Sequence, residues 1–274
     1  MPSPTIFGSD AYASKEIAAR IESMGVAKVH MDLAPTIMLG MVAGGFIGLG
    51  AMYYVLVASD SSLGFAASRV LGGLVFSLGL ILVVIAGAEL FTGNNLLVMA
   101  WADRKITSRE LLRNWTLVYF ANALGAVGLA LIVYWSGHAD MNNGAVGAQY
   151  VKIALSKVSL PFAEAFFKGV LCNLLVCLAV WLAMAGRSVT DKILAVVFPI
   201  SAFVAAGFEH SVANMYLIPL GILLNGDAVA PVMGLGWSGL FNNLVPVTLG
   251  NIAGGSVLVA LVYFVIYRRG KYNW

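Results

Sequence analysis

Ala86-Gly87-Ala88-Glu89, closed by Asn94, and Ala206-Gly207-Phe208-Glu209, closed by Asn214, are two copies of one pattern, A-G-x-E-x4-N, set 120 residues apart. Both copies lie inside apolar stretches long enough to cross a bilayer. A carboxylate within a membrane span is costly and marks a functional place by default. A glycine beside it loosens the helix. Two interrupted spans at matching points of two halves point to a solute path near the bilayer midplane.

Working outward, six spans are expected at 36–58, 69–99, 111–136, 162–184, 192–224 and 246–267. A crossing helix needs about 20 residues. The second and fifth stretches are too long for a plain crossing, and these two carry the repeated pattern. The surplus is what a helix broken by a non-helical loop requires. Such backbone survives at membrane depth only where protein or water satisfies it. Composition agrees: the chain is 60% hydrophobic, 11% charged and has a mean hydropathy of +0.89. Soluble domains carry about 25% charged residues.

Charge distribution sets orientation. Of 16 basic residues, 12 fall before span 1, between spans 2 and 3, between spans 4 and 5, or after span 6. The other side holds Arg69, Lys152 and Lys157, with Lys168 inside span 4. The positive-inside rule then puts both termini in the cytoplasm. Halves at about 36–136 and 162–267 run in opposite senses, as an inverted three-plus-three repeat. Asn122-Ala-Leu-Gly125 matches Asn251-Ile-Ala-Gly254, and Gly40 matches Gly169. The expected fold is an all-α membrane protein, an aquaporin-like six-span bundle with broken second and fifth helices.

Residues 1–35 are charged, have no leading apolar core, and are not read as a secretory signal. They read as a cytoplasmic amphipathic helix capped by Ser9-Asp10 and ended by Gly25, on the membrane surface or beneath the bundle. Residues 268–274 form a short tail. Glycines such as Gly44, Gly48, Gly72 and Gly73 read as close helix packing.

Enzyme signatures are weak. Cys172 and Cys177 form no CxxC and read as buried small hydrophobes. Glu209-His210 lacks the second histidine of a zinc motif. No nucleotide loop appears, and the basic residues are too dispersed for nucleic acid. No cofactor, metal or catalytic set is expected. An intramembrane enzyme built on Glu209 and His210 lacks a nucleophile. A neutral-solute channel shares the plan but would bring NPA motifs, which are missing. His210, at membrane depth beside a glutamate and a glycine break, reads as a pore residue; the competing reading is a structural histidine bonded to a carbonyl. It changes charge near neutral pH and can offer a positive site or a proton. Thr92 can donate to an anion or cap a half-helix. Glu89 and Glu209 read as holding loop backbone or pairing with a cation, alongside Asn94, Asn214, Gly87 and Gly207.

The segments GAELFTGNNLLVMA, FFKGVLCNLLVCLAVW, FPISAFVAAGFEHSVANMYLIPLGIL and LVPVTLGNIAGG resemble the signature segments of the formate/nitrite transporter family. The resemblance runs from about residue 10 to 267 and is greatest toward the formate channels. It implies a homopentamer in the bacterial inner membrane, each protomer with its own pore in the lipid bilayer. The passengers would be small anions, formate first, with nitrite as the alternative and hydrosulfide or a neutral solute further off; passage with a proton from the central histidine and passage of the anion alone are both open. It further implies that His210 is that histidine and Thr92 faces it. Asn173 and Asn251 would line the pore nearby. Phe76, Leu80, Leu90, Phe91, Val176 and Phe203 would form apolar constrictions, and Lys157 would stand in the outer vestibule. Lys168 does not carry over from the formate channels; its alternatives are a nitrite-type pattern or a snorkelling lysine.

Overall fold

A computed structural model describes residues 11–228 and 230–268. The expected Ser9-Asp10 cap and the tail beyond Arg268 lie outside the described residues. Helix α1 (Ser14–Val29) is followed by α2 (Leu33–Ala58), α3 (Phe65–Phe76) and α4 (Leu78–Leu82), which ends in a π turn, Val83–Gly87. After a loop come a 3-10 turn, Gly93–Leu97, short α5 (Val98–Ala102) and long α6 (Ser108–Trp135). The second half brings α7 (Ala145–Val158), α8 (Phe162–Ala185), α9 (Val189–Ala206) and α10 (Ser211–Gly226). It closes with α11 (Trp237–Ile252), a π-helical stretch Ala253–Leu261, and α12 (Val262–Tyr267). Among the described residues, six helical stretches are long and apolar enough to cross a membrane, and the second and fifth are broken as expected.

The two halves pack alike. The broadest contacts are α2 with α6 and α8 with α11. Glycine makes both possible. A Cβ on Gly125 would collide with the Met41 carbonyl oxygen, and one on Gly250 with that of Phe166. Lipid supplies no hydrophobic drive between helices, so close backbone approach is what holds such pairs.

Three expectations are corrected. Gly25 does not end the first helix, which continues to Val29. Gly25 is instead a packing point, where an added Cβ would lie 3.2 Å from Ala100 Cβ. Apolar contact outweighs its low helix propensity. The sixth span begins at Trp237 rather than 246, because Pro246 sits inside the helix and not at its start. Helix α7 was not anticipated. It buries only Val146, Tyr150, Ile153 and Ala154, a stripe too thin to stand out beside the spans. Of the two placements open to the first helix, it takes the one beneath the bundle, against α5, α8 and the 93–97 turn. There the fully buried Glu22 receives Lys105 Nζ at 2.6 Å and Arg268 Nε at 2.7 Å.

Helices α1 and α7 also complete the repeat. Adding 129 to Leu33, the start of α2, gives Phe162, the start of α8. The same step carries Ser108 of α6 to Trp237 of α11, and Val29 of α1 to Val158 of α7. Each half is therefore an entry helix followed by three spans, the middle one broken.

Candidate functional site

Each motif glycine supplies a left-handed turn that ends a half-helix: φ is +81° at Gly87 and +75° at Gly207. Any other L-residue would carry about 1–2 kcal/mol of strain there. The turn delivers a buried glutamate two residues on. Glu89 Oε1 receives Lys28 Nζ at 2.8 Å, and its Oε2 accepts from Asn94 at 2.8 Å. Glu209 Oε1 receives Lys157 Nζ at 2.8 Å, and its Oε2 accepts from Asn214 at 2.7 Å and Asn243 at 3.3 Å. Asn94 also donates to Asn114, and Asn214 to Asn243. Two ion-pair cages built from the same residue types thus hold the two breaks. The carboxylates serve lysines and loops, so neither faces a passing anion as a bare charge.

A second pair of asparagines pins the loops. Asn122 donates to the carbonyls of Gly40 (2.7 Å) and Glu89 (2.8 Å) and accepts the Phe91 N–H (2.9 Å). Asn251 donates to the carbonyls of Gly169 and Glu209 (both 2.9 Å) and accepts the Ser211 N–H (3.0 Å). Asn251 had been expected to line the pore. Both its donors are engaged by backbone and its oxygen, which can accept twice, takes one backbone N–H, so it holds the loop from that place.

Between the breaks, Thr92 Oγ1 lies 3.0 Å from His210 Nε2. His210 is the N-cap of α10, its Nδ1 accepting the Ala213 N–H at 3.1 Å. A neutral imidazole has one donor and one acceptor nitrogen. With Nδ1 accepting, the proton is on Nε2 and is donated to Thr92, whose own hydroxyl hydrogen stays free to donate. Asn173 supports this point, donating to the carbonyls of Thr92 (3.2 Å) and Asn251 (2.7 Å) while its buried Oδ1 has no partner. Phe203 stacks on His210 with centroids 5.9 Å apart, and Phe76 meets Phe203 edge-on at 5.6 Å. Leu80, Leu90, Phe91 and Val176 are buried within the bundle.

Phe76, Phe203 and His210 form the floor of a cavity of about 590 Å³ that opens at the Lys157 end. Arg69, Lys152, Lys157 and Lys168 all line it, so the three basic residues assigned to one side by sequence meet here with the lysine of span 4. Lys168 reaches Glu164 at 2.7 Å, and its carbonyl accepts the Glu209 N–H at 3.3 Å. Lys28, Asn114 and Asn243 escaped sequence reading. The signal that finds them is their 129-residue spacing from, or to, a partner: Lys28 to Lys157 and Asn114 to Asn243, the step that also joins Asn122 to Asn251.

The family model for formate/nitrite transporters matches residues 15–265. The formate channel FocA of Escherichia coli K12 is 40% identical over 265 residues, covering 90% of this chain and 92% of the relative. A solved pentameric formate channel with formate bound superposes with TM-score 0.81 at 40% identity, covering 86% of this chain and 97% of that one. The aquaglyceroporin of Plasmodium falciparum, at 16% identity, superposes with TM-score 0.52 over 84% of this chain and 99% of its own, a likeness of fold alone. With the paired breaks, the six spans and a match over nearly its whole length, this multi-pass membrane protein belongs to the formate/nitrite transporter family.

Proposed function

We propose that this chain forms a homopentameric channel for formate in the inner membrane, with both termini cytoplasmic and one pore per protomer. The observation that carries the reading is the Thr92–His210 pair at the floor of a basic cavity. Formate is drawn to the mouth by Lys157, whose ammonium has one N–H on Glu209 and others left to offer. The symmetric Lys28 differs, because it donates to both Glu89 and Asn94. Asn214 Oδ1, the counterpart of the Asn94 oxygen, has no partner. The two ends are therefore unequal, and the Lys157 end is the better anion trap.

Past the mouth, the apolar floor strips water from the anion, which is costly without replacement donors. The Thr92 hydroxyl supplies one, and a turn of the His210 Nε2–H from Thr92 to the passing carboxylate supplies a second. Where His210 has first taken up a second proton, handing one over at Nε2 would let the passenger leave as formic acid and return the ring to its neutral form. Phe76, Leu80, Leu90, Phe91, Val176 and Phe203 keep the path narrow and dry. The protein carries its solute unaltered. The relatives' formate channels favour formate over nitrite as passenger.

Proteoliposomes test this directly. Formate should cross far faster than glucose, and nitrite should trail formate. His210→Phe should lose most flux and its pH dependence while the oligomer survives. A His210→Phe protein with wild-type flux and an unchanged pH profile would overturn the role given to the histidine.

A further inference from the structure

We infer that the cavity above the Phe76–Phe203 floor is a binding site for dianions, sulfate-like oxyanions or short dicarboxylates, which occupy it as blockers and not as passengers. The wall carries four cations, Arg69, Lys152, Lys157 and Lys168, against two carboxylates, Asp60 and Glu209. Its own charge therefore matches a dianion. The cations are not equally committed. Lys157 is held by Glu209, and Lys168 by Glu164, whose side chain is 49% exposed and so offsets little charge. Lys152 has no ion pair within 4.0 Å among the described residues.

Arg69 is built into the site. Its Nε donates to the Ala205 carbonyl at 2.8 Å, and its Nη2 lies where a side chain on residue 207 would stand, 2.6 Å from the Cβ that glycine lacks. The left-handed Gly207 thus does two jobs: it turns the chain and it seats a guanidinium against the broken helix. The remaining Arg69 donors keep the fork geometry that suits a two-oxygen anion. At the rim, the Ser62 hydroxyl and N–H hold Asp60 below the usual carboxylate range, so it remains an anion that faces any ligand entering.

Charge also explains why such a ligand stops here. The Born cost of leaving water grows with the square of the charge, roughly fourfold from a monoanion to a dianion. A floor of two phenylalanines, with only the Thr92 hydroxyl and one imidazole N–H to donate, offers too little to offset that cost. Dianions are thus concentrated by the wall and rejected by the floor, and a resident dianion excludes formate from the same volume.

Titration calorimetry of the purified oligomer with sulfate, at fixed ionic strength, tests the site without transport. Methanesulfonate, a monoanion of similar size, is the control. Sulfate should bind once per protomer and at least about tenfold tighter than methanesulfonate. Lys152→Gln and Lys168→Gln should each weaken sulfate binding several-fold, with oligomer size unchanged. In proteoliposomes, sulfate on both sides should slow formate flux, and each variant, scaled to its own uninhibited flux, should need correspondingly more. Sulfate that binds no better than methanesulfonate, or binds both variants as it binds the parent, would overturn the inference. The block rests on formate conduction, but the binding does not. Sulfate binding without formate flux in any protein would sink the channel reading alone; formate flux that sulfate neither touches nor binds against would sink this inference alone.

Discussion

The Lys157–Glu209 pair is unequal in a way that a mutant cycle can measure. Glu209 is 4% exposed and lies against α8, while the Lys157 side chain borders the cavity and keeps 14% of its surface. Lys157→Met keeps side-chain volume but leaves a buried carboxylate with only its asparagine donors, at 2.7 and 3.3 Å. Removing one partner of a buried pair costs about 3–5 kcal/mol, and the asparagines place this case near the lower end. Glu209→Gln should cost only ~1 kcal/mol, because the freed ammonium reaches cavity water. The double variant should then resemble Glu209→Gln, so the coupling equals the Lys157→Met cost in size, about 3 kcal/mol. Thermal unfolding in detergent reads the cycle, with Lys157→Met shifted down by roughly 6–12 °C. The reasoning fails if the two single effects simply add, or if Lys157→Met melts with the parent. Either result would mean that Glu209 does not need its lysine, and the cage would lose its structural role.

The equivalent Lys28→Met should cost more than Lys157→Met by about 1 kcal/mol, since Lys28 also serves Asn94 Oδ1 and Glu89 keeps one asparagine donor rather than two; the same melts decide it. Gly207→Ala should destabilise by more than Gly87→Ala, because Gly207 adds a collision with Arg69 to the strain they share, whereas open space surrounds Gly87. His210→Asn keeps an N-cap acceptor and a donor, so it should fold like the parent and retain more formate flux than His210→Phe; equal loss in both would assign the effect to ring stacking on Phe203. Burial alone would lower Lys105, but its hydrogen bonds to Glu22 and Asp103 outweigh it and hold the ammonium above its usual value. A raised lysine stabilises below its unfolded pKa, about 10.5, and the benefit fades as pH climbs through the folded value. Lys105→Met should therefore flatten the alkaline end of the stability profile, measured as melting temperature against pH.

What the sequence made legible follows from two kinds of spacing. The motif copies stand 120 residues apart and announce themselves, because glycine and glutamate inside apolar runs have no bland explanation. The helices that cradle them stand 129 apart, as Lys28 with Lys157, Asn114 with Asn243, and Gly40 with Gly169. The difference is a compensated length change. From Gly40 to Glu89 the first half spends nine more residues than the second spends from Gly169 to Glu209, on its longer broken span and linker. The second half returns them between Asn214 and Asn243, in the connection from α10 to α11. A search at one offset therefore finds either the loops or the scaffold, never both. Reading at 120 gave Glu89, Asn94, Glu209 and Asn214 but not the lysine and second asparagine that complete each cage. Asn251 was visible at the 129 spacing, as the match of Asn122-Ala-Leu-Gly125 with Asn251-Ile-Ala-Gly254. The family resemblance sets it near His210 in the pore, and its partner at 129, Asn122, holds the first break with the same three backbone bonds. Two asparagines doing the same backbone work at symmetric places serve as scaffold, and action on a passenger is sought first where the symmetry breaks, as Lys157 departs from Lys28 by leaving Asn214 Oδ1 without a partner. Thr92 and His210 stand on different breaks with no copy of their pairing, and Arg69, Lys152 and Lys168 crowd one mouth. In an inverted repeat, what the two halves share holds the fold, and what they do not share is where chemistry is to be sought.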